Sequence, residues 1–233
     1  MKSKKTSASP GGQNHVGVDN LQIALPGPRV RAGQMNLPLS GLGTRAAKVF
    51  ENWLINYEQY QPVYDLYFGT LYQSGMYITQ EFLSLVQALE IYHRRFVSNE
   101  VVPNEEHVAR LEKVLCAVPR NLRKWVMGCL KYSNEPRLAQ RLSQVFQAQS
   151  SIFKGDNDVA LAERIADTRN YLVHYDPKLE KKALSDQELL KVSARLRLAL
   201  ETVILGQLGF SNEDISELIR KQGKWLQTVW YLN

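Results

Sequence analysis

From Val49 onward the chain sets apolar residues three and four positions apart, beginning with Val49, Phe50, Trp53, Leu54 and Tyr57. That spacing follows the 3.6-residue turn of an α-helix and predicts one that starts just after Thr44. Pro62 suits the first turn of a second helix, with Val63, Leu66, Tyr67 and Leu71 as its apolar side and Gly75 as its end. The stretch ITQEFLSLVQALEIYHRRF then reads as one uninterrupted helix to Phe96. It is capped at Thr79 and buries Phe82, Leu85, Val86, Leu89, Tyr92 and Phe96.

Prolines mark the next starts. Pro103 precedes EEHVARLEKVLCAV, where Asn104 reads as the cap and two glutamates suit the positive end of the helix dipole. Pro119 introduces RNLRKWVMGCLKYS and Pro136 introduces RLAQRLSQVFQAQ. Three further segments have helical period: FKGDNDVALAERIADTRNYLVHYD, an apolar-rich run over 185–208, and SNEDISELIRKQ capped by Ser211. No strand-like alternation occurs after residue 44, so helices from about 44 to 223 predict an all-α, up-and-down bundle. Residues 1–43 are rich in Gly, Pro, Ser and Asn and lack a period. They predict a flexible or irregular segment before a helical domain over 44–233, with LQIAL as the one hint of a strand. The apolar end KWLQTVWYL is expected to pack back onto the bundle.

Composition adds limits. The 233 residues, 44% hydrophobic and 22% charged, suit one well-filled domain. Cys116 and Cys129 lie in apolar helical segments without zinc-type spacing, so they read as reduced core thiols of an intracellular protein, and no metal site is expected. The start MKSKKTSASPGGQNH lacks the apolar stretch of a secretory signal, and no run approaches the roughly 18 apolar residues of a membrane span. A soluble cytoplasmic protein without membrane contact is the expectation. The net charge of +6 permits an anionic partner without requiring one. Phosphate-loop, dinucleotide, zinc-protease and serine-esterase motifs are all lacking, which leaves those chemistries unsupported.

The most informative stretch is RNYLVH, residues 169–174. At 100° per residue, Leu161, Ile165, Thr168 and Leu172 form a core-facing stripe, with Glu163, Asp167, Asn170 and His174 opposite. Between them Ala162, Ala166, Arg169 and Val173 make a flank of mostly small residues that suits a close helix–helix approach. Pro177 disfavours helical geometry at Asp176, so His174 falls in the last turn, where the helix dipole favours its protonated form. A guanidinium and an imidazole are the groups needed to grip a phosphodiester and move a proton near neutral pH. One chain sets Arg169 and His174 about 140° apart around an ideal helix, too far for one compact site, whereas two copies facing each other would supply a pair of each. The same letters also read as a solvated ion pair and a histidine at a helix end.

The pattern Arg169-Asn170, three residues, His174, followed by YDP, together with the earlier helix FLSLVQALEIYHRRF, resembles the R-x4-6-H motif and first long helix of ApeA-like HEPN domains (higher eukaryotes and prokaryotes nucleotide-binding). These domains are known from bacterial anti-phage defence, and the resemblance covers roughly residues 45 to 220. It implies a HEPN-type bundle acting as a homodimer. The activity implied is that of a metal-independent endoribonuclease without a cofactor, its two motifs lining one cleft, in a defence or toxin-like role. By this resemblance Arg169 stabilises the scissile phosphate, and His174 acts as general acid or base when the 2′-hydroxyl attacks phosphorus. Asn170 orients the phosphate or the histidine. The implied products are a 2′,3′-cyclic phosphate and a 5′-hydroxyl, so the substrate is RNA, because DNA lacks the nucleophile.

Glu90 and Arg94 fall where such domains hold polar groups near the motif helix, and are also an i, i+4 pair able to bond only to each other. His93 and His107 read as exposed helical histidines, and His15 lies in the irregular start. Arg120, Arg123, Lys124, Lys131, Arg137 and Arg141 follow along two helices with only Glu135 against them. They would hold an RNA backbone, with Trp125 and Tyr132 interleaved or else serving as core. ApeA-type members carry a large amino-terminal domain where this sequence has roughly 44 irregular residues, so the expectation is either a stand-alone or truncated form that has lost its sensor, or a partner, a sensor or an antitoxin protein, that supplies target sensing. Two alternatives stand beside the enzyme: a non-catalytic HEPN module that binds nucleotide or RNA or dimerises in a defence complex, and an unrelated helical interaction protein.

Overall fold

The computed structural model describes residues 42–73, 75–152 and 158–221, all within the unit Arg31–Asn233. The expectations for the irregular start up to residue 41, for LQIAL and for KWLQTVWYL lie outside the described residues. A 3-10 turn at Gly43–Arg45 leads into α1 (Ala46–Tyr72), followed by α2 (Ile78–Phe96) and α3 (Asn104–Ala117). After a second 3-10 turn, Arg120–Leu122, come α4 (Arg123–Leu130), α5 (Leu138–Ala148), α6 (Asp158–His174), α7 (Pro177–Glu180), α8 (Asp186–Gln207) and α9 (Asn212–Lys221). No strand occurs among the described residues, and the fold is an all-α bundle.

The centre is α2, which packs against α1, α5, α6 and α8. Its predicted face behaves as the period requires: Phe82, Leu85 and Leu89 are sealed from solvent, as are Ile165 of α6 and Leu196 and Leu200 of α8. Burying one such side chain is worth about 1.5–3 kcal/mol, so this layer is the main source of cohesion. Tyr60 joins α1 to it by stacking on Phe96 with centroids 3.8 Å apart, while within α1 Trp53 lies on Tyr64 at 4.4 Å.

Here the structure corrects the expected break at Pro62, because α1 runs through it. Proline costs the helix a backbone hydrogen bond and a clash, about 3 kcal/mol. Buried Tyr60, Val63, Tyr64 and Tyr67 on both sides of it hold the helix continuous. Two caps also differ: α2 begins at Ile78 with Tyr77 in the cap position, and α3 begins at Asn104 itself, after Pro103. Ser185 and Ser211 do cap, the first through a reciprocal box with Glu188, the second by accepting from Asp214 N at 3.2 Å.

Residues 103–133 stand apart from the bundle, and α3, the 3-10 turn and α4 contain no buried residue. Asn134 anchors this excursion: its side chain exchanges two 3.0 Å hydrogen bonds with the Val102 backbone, and its carbonyl accepts from Val101 N at 2.8 Å. Cys116 and Cys129 are therefore exposed, not core thiols. Trp125 and Tyr132, which could have been core, are exposed as well. Helical period placed all four in apolar runs, but period alone does not tell whether anything packs against the run.

Candidate active site

Helix α6 presents the motif. On its inner side Ile165 and Thr168 are buried. Thr168 Oγ1 donates to Arg164 O at 2.7 Å and accepts from Leu184 N at 3.0 Å, tying α6 to the turn before α8. On the small-residue flank α5 packs alongside and Ala162 and Ala166 are buried, so this half of the flank is filled within one chain. Arg169 and Val173, further along, remain accessible.

The helix ends as Pro177 requires. His174 is its last residue, Tyr175 adopts φ +51°, and Asp176 is extended and accepts from Lys178 N at 3.0 Å to cap α7. His174 is exposed, and among the described residues no side chain bonds its ring.

Arg169 is held on two sides. Its Nη1 donates to Asn170 Oδ1 at 3.0 Å, and its Nη2 lies 3.6 Å from Glu90 Oε2 on α2. Glu90 also pairs with Arg94, whose Nε lies 3.2 Å from Oε1, so the expected i, i+4 pair forms and reaches the motif as well. With 35% of its side chain exposed, Arg169 keeps an open edge toward solvent.

The chain of charges continues inward. Arg94 Nη1 donates to Glu135 Oε2 at 2.7 Å, and the same oxygen accepts from Arg141 Nη2 at 3.2 Å. Arg141 Nη1 contacts His93 Nδ1 at 3.1 Å, and His93 Nε2 contacts Gln144 Oε1 at 2.5 Å. Arginine only donates, so Nδ1 is the acceptor and Nε2 carries the proton that Gln144 receives. This places His93 in its neutral form. Burial first, then the positive charges of Arg141 and Arg94, lower its proton affinity below the ordinary value, against the Gln144 hydrogen bond that raises it.

Two sequence expectations fail at this point. His93 is fully buried, not an exposed helical histidine, and Arg141 is 1% exposed and unavailable to RNA. The reason is shared: α5 packs against α2, and the inward faces of both helices meet where Glu135 can neutralise the cation. The other basic candidates, Arg120, Arg123, Lys124, Lys131 and Arg137, are exposed, and Lys131 lies over the Tyr132 ring.

The reach of Glu135 to Arg94 and of Gln144 to His93 carried no sequence signal, because these pairs lie 41 and 51 residues apart. Tyr175 did have one. An extended residue enforced before Pro177 leaves the preceding residue to make the helix-ending reversal.

A shallow pocket of about 230 Å³ between α5 and α6 is lined by Ala139, Gln140, Ser143, Gln144, Val159 and Glu163, and includes neither Arg169 nor His174. Among the described residues no helix is long and apolar enough to cross a membrane. A family model described as Apea-like HEPN matches residues 83–214, more than half of the chain, and spans Glu90, Arg94 and the whole motif. No curated protein and no solved structure matches.

Proposed function

Because the chain belongs to the Apea-like HEPN family, we propose that it is a metal-independent endoribonuclease whose active site is shared between two copies. The observation that carries this reading is the contrast at the end of α6: a guanidinium held by Glu90 and Asn170 with an open edge, and an exposed imidazole five residues later that no described side chain engages. One copy supplies a single grip on phosphate and a single proton carrier. Cleavage needs a base to take the 2′-hydroxyl proton and an acid to protonate the leaving 5′-oxygen, a demand that two histidines meet.

In this reading the 2′-oxygen forms a bond to phosphorus as the P–O5′ bond breaks. One His174 takes the proton from the 2′-hydroxyl, and the other donates one to O5′. The two Arg169 side chains stabilise the charge that builds on the non-bridging oxygens. Glu90 fixes Arg169 and is itself steadied by Arg94. Arg120, Arg123, Lys124, Lys131 and Arg137 supply loose backbone attraction that weakens with salt. The setting is cytoplasmic anti-phage defence.

The test is cleavage of single-stranded RNA in EDTA with identification of the ends. The expected products are a 2′,3′-cyclic phosphate and a 5′-hydroxyl, lost in His174→Ala while fold and dimer persist. Equal cleavage by that variant contradicts the assignment. One observation favours a second reading, a non-catalytic module: Glu90 and Asn170 already satisfy much of Arg169, as in a structural ion pair. RNA binding by the wild-type protein without cleavage would select it.

A further inference from the structure

Tyr175 is the one non-glycine with positive φ among the described residues, at +51°. Side chains strain there and glycine does not, so the reversal that ends α6 is served more easily without a ring. The ring nonetheless has a neighbour. Tyr175 N donates to Tyr171 O at 2.6 Å, and the two rings meet edge-on, centroids 5.7 Å apart at 60°. So held, Tyr175 remains 70% exposed, directly after His174. Beyond the elbow Lys178 and Lys181 are exposed, with Asp176 engaged in capping α7.

An exposed aromatic face beside a proton carrier, followed by free cations, has the chemistry of a single-strand binding surface: bases stack on the ring and phosphates follow the lysines. We propose that Tyr175, braced by Tyr171, is a substrate-positioning residue on which the base next to the scissile phosphate stacks, while Lys178 and Lys181 guide the adjoining backbone. The inference rests on the ribonuclease reading and adds to it how the strand is placed. A stacked base is unpaired, so the site selects single-stranded RNA over duplex.

The experiment compares Tyr175→Gly and Tyr175→Phe, each made in the wild-type chain and in the His174→Ala background. Affinity for a fluorescein-labelled single-stranded RNA dodecamer is read by anisotropy in EDTA, and kcat and KM are read on the wild-type background. Loss of one stacked base corresponds to a weakening of about tenfold or more. The expected result is that loss for Tyr175→Gly, seen mainly in KM, near-wild-type behaviour for Tyr175→Phe, and a melting temperature for Tyr175→Gly no lower than wild type. If the wild-type chain binds and cleaves and Tyr175→Gly does so equally well, the stacking proposal is overturned and the ribonuclease reading survives. If the wild-type chain neither binds nor cleaves single-stranded RNA, the ribonuclease reading fails and takes this proposal with it.

Discussion

Replacing Glu135 by alanine isolates the energetics of the buried charge chain. Its Oε2 serves two cations at once, Arg94 at 2.7 Å and Arg141 at 3.2 Å. At an effective dielectric constant of about 20, a pair 3.2 Å apart attracts by about 5 kcal/mol before desolvation is counted. Removing one partner of a fully buried pair costs about 3–5 kcal/mol, because a charge is stranded. Arg141 is 1% exposed but Glu135 is 26% exposed, so solvent screens part of that and the expected loss is about 2–3 kcal/mol. For a chain of this size that lowers the melting temperature by about 4–12 °C.

The assay is urea unfolding of four proteins: wild type, Glu135→Ala, Arg141→Met and the double variant. If the cost is the stranded cation, Arg141→Met restores part of the loss in the double variant, giving a coupling of at least about 1 kcal/mol. Strict additivity, or a Glu135→Ala loss under about 0.5 kcal/mol, would refute the reasoning.

Further outcomes follow from the same structure. Thr168→Val strands the buried Leu184 N–H and is expected to cost about 1–3 kcal/mol by urea unfolding, whereas Thr168→Ser stays near wild type. His93 has a depressed proton affinity in the fold, so the unfolded chain binds the extra proton; its contribution is complete above pH 6.5 and is lost as pH falls below that value. Stability measured from pH 8 to 5 is expected to decline with a slope that His93→Leu removes, whatever that variant's absolute stability. Glu188 is held at about 2 by its hydrogen bonds from Arg164 and Ser185, so its contribution to the start of α8 is present above its ordinary 4.5 and fades between there and about 2. Glu188→Gln should flatten the acid limb in that window. Cys116 and Cys129 are expected both to react with a thiol reagent in the native protein without denaturant, and protection of either contradicts the open excursion.

The bundle was legible because most of its helices carry their period and punctuation locally. The Phe82–Leu85–Leu89 face and the Ser185 and Ser211 caps are examples. Pro62 was misread since its local penalty is overridden by the burial of Tyr60 and Tyr64 and the stacking of Tyr60 on Phe96 of α2. Arg169 and His174 were picked out through the resemblance of their stretch to the HEPN motif, and Glu90 through the place where such domains hold polar groups. The charges of His93 and Arg141 gave no hint that both lie inside, because burial there depends on the two meeting across 48 residues of sequence, with Gln144 reaching His93 across 51. The same blindness affected Trp125, Tyr132 and both cysteines, whose apolar neighbours promised a packing partner that the fold does not provide.

The shared site is tested most directly by titrating protein concentration, with cleavage of single-stranded RNA in EDTA measured beside the dimer fraction from sedimentation. Specific activity that rises along the dimer curve is the predicted result. Activity that is constant across a range in which the chain passes from monomer to dimer would contradict it.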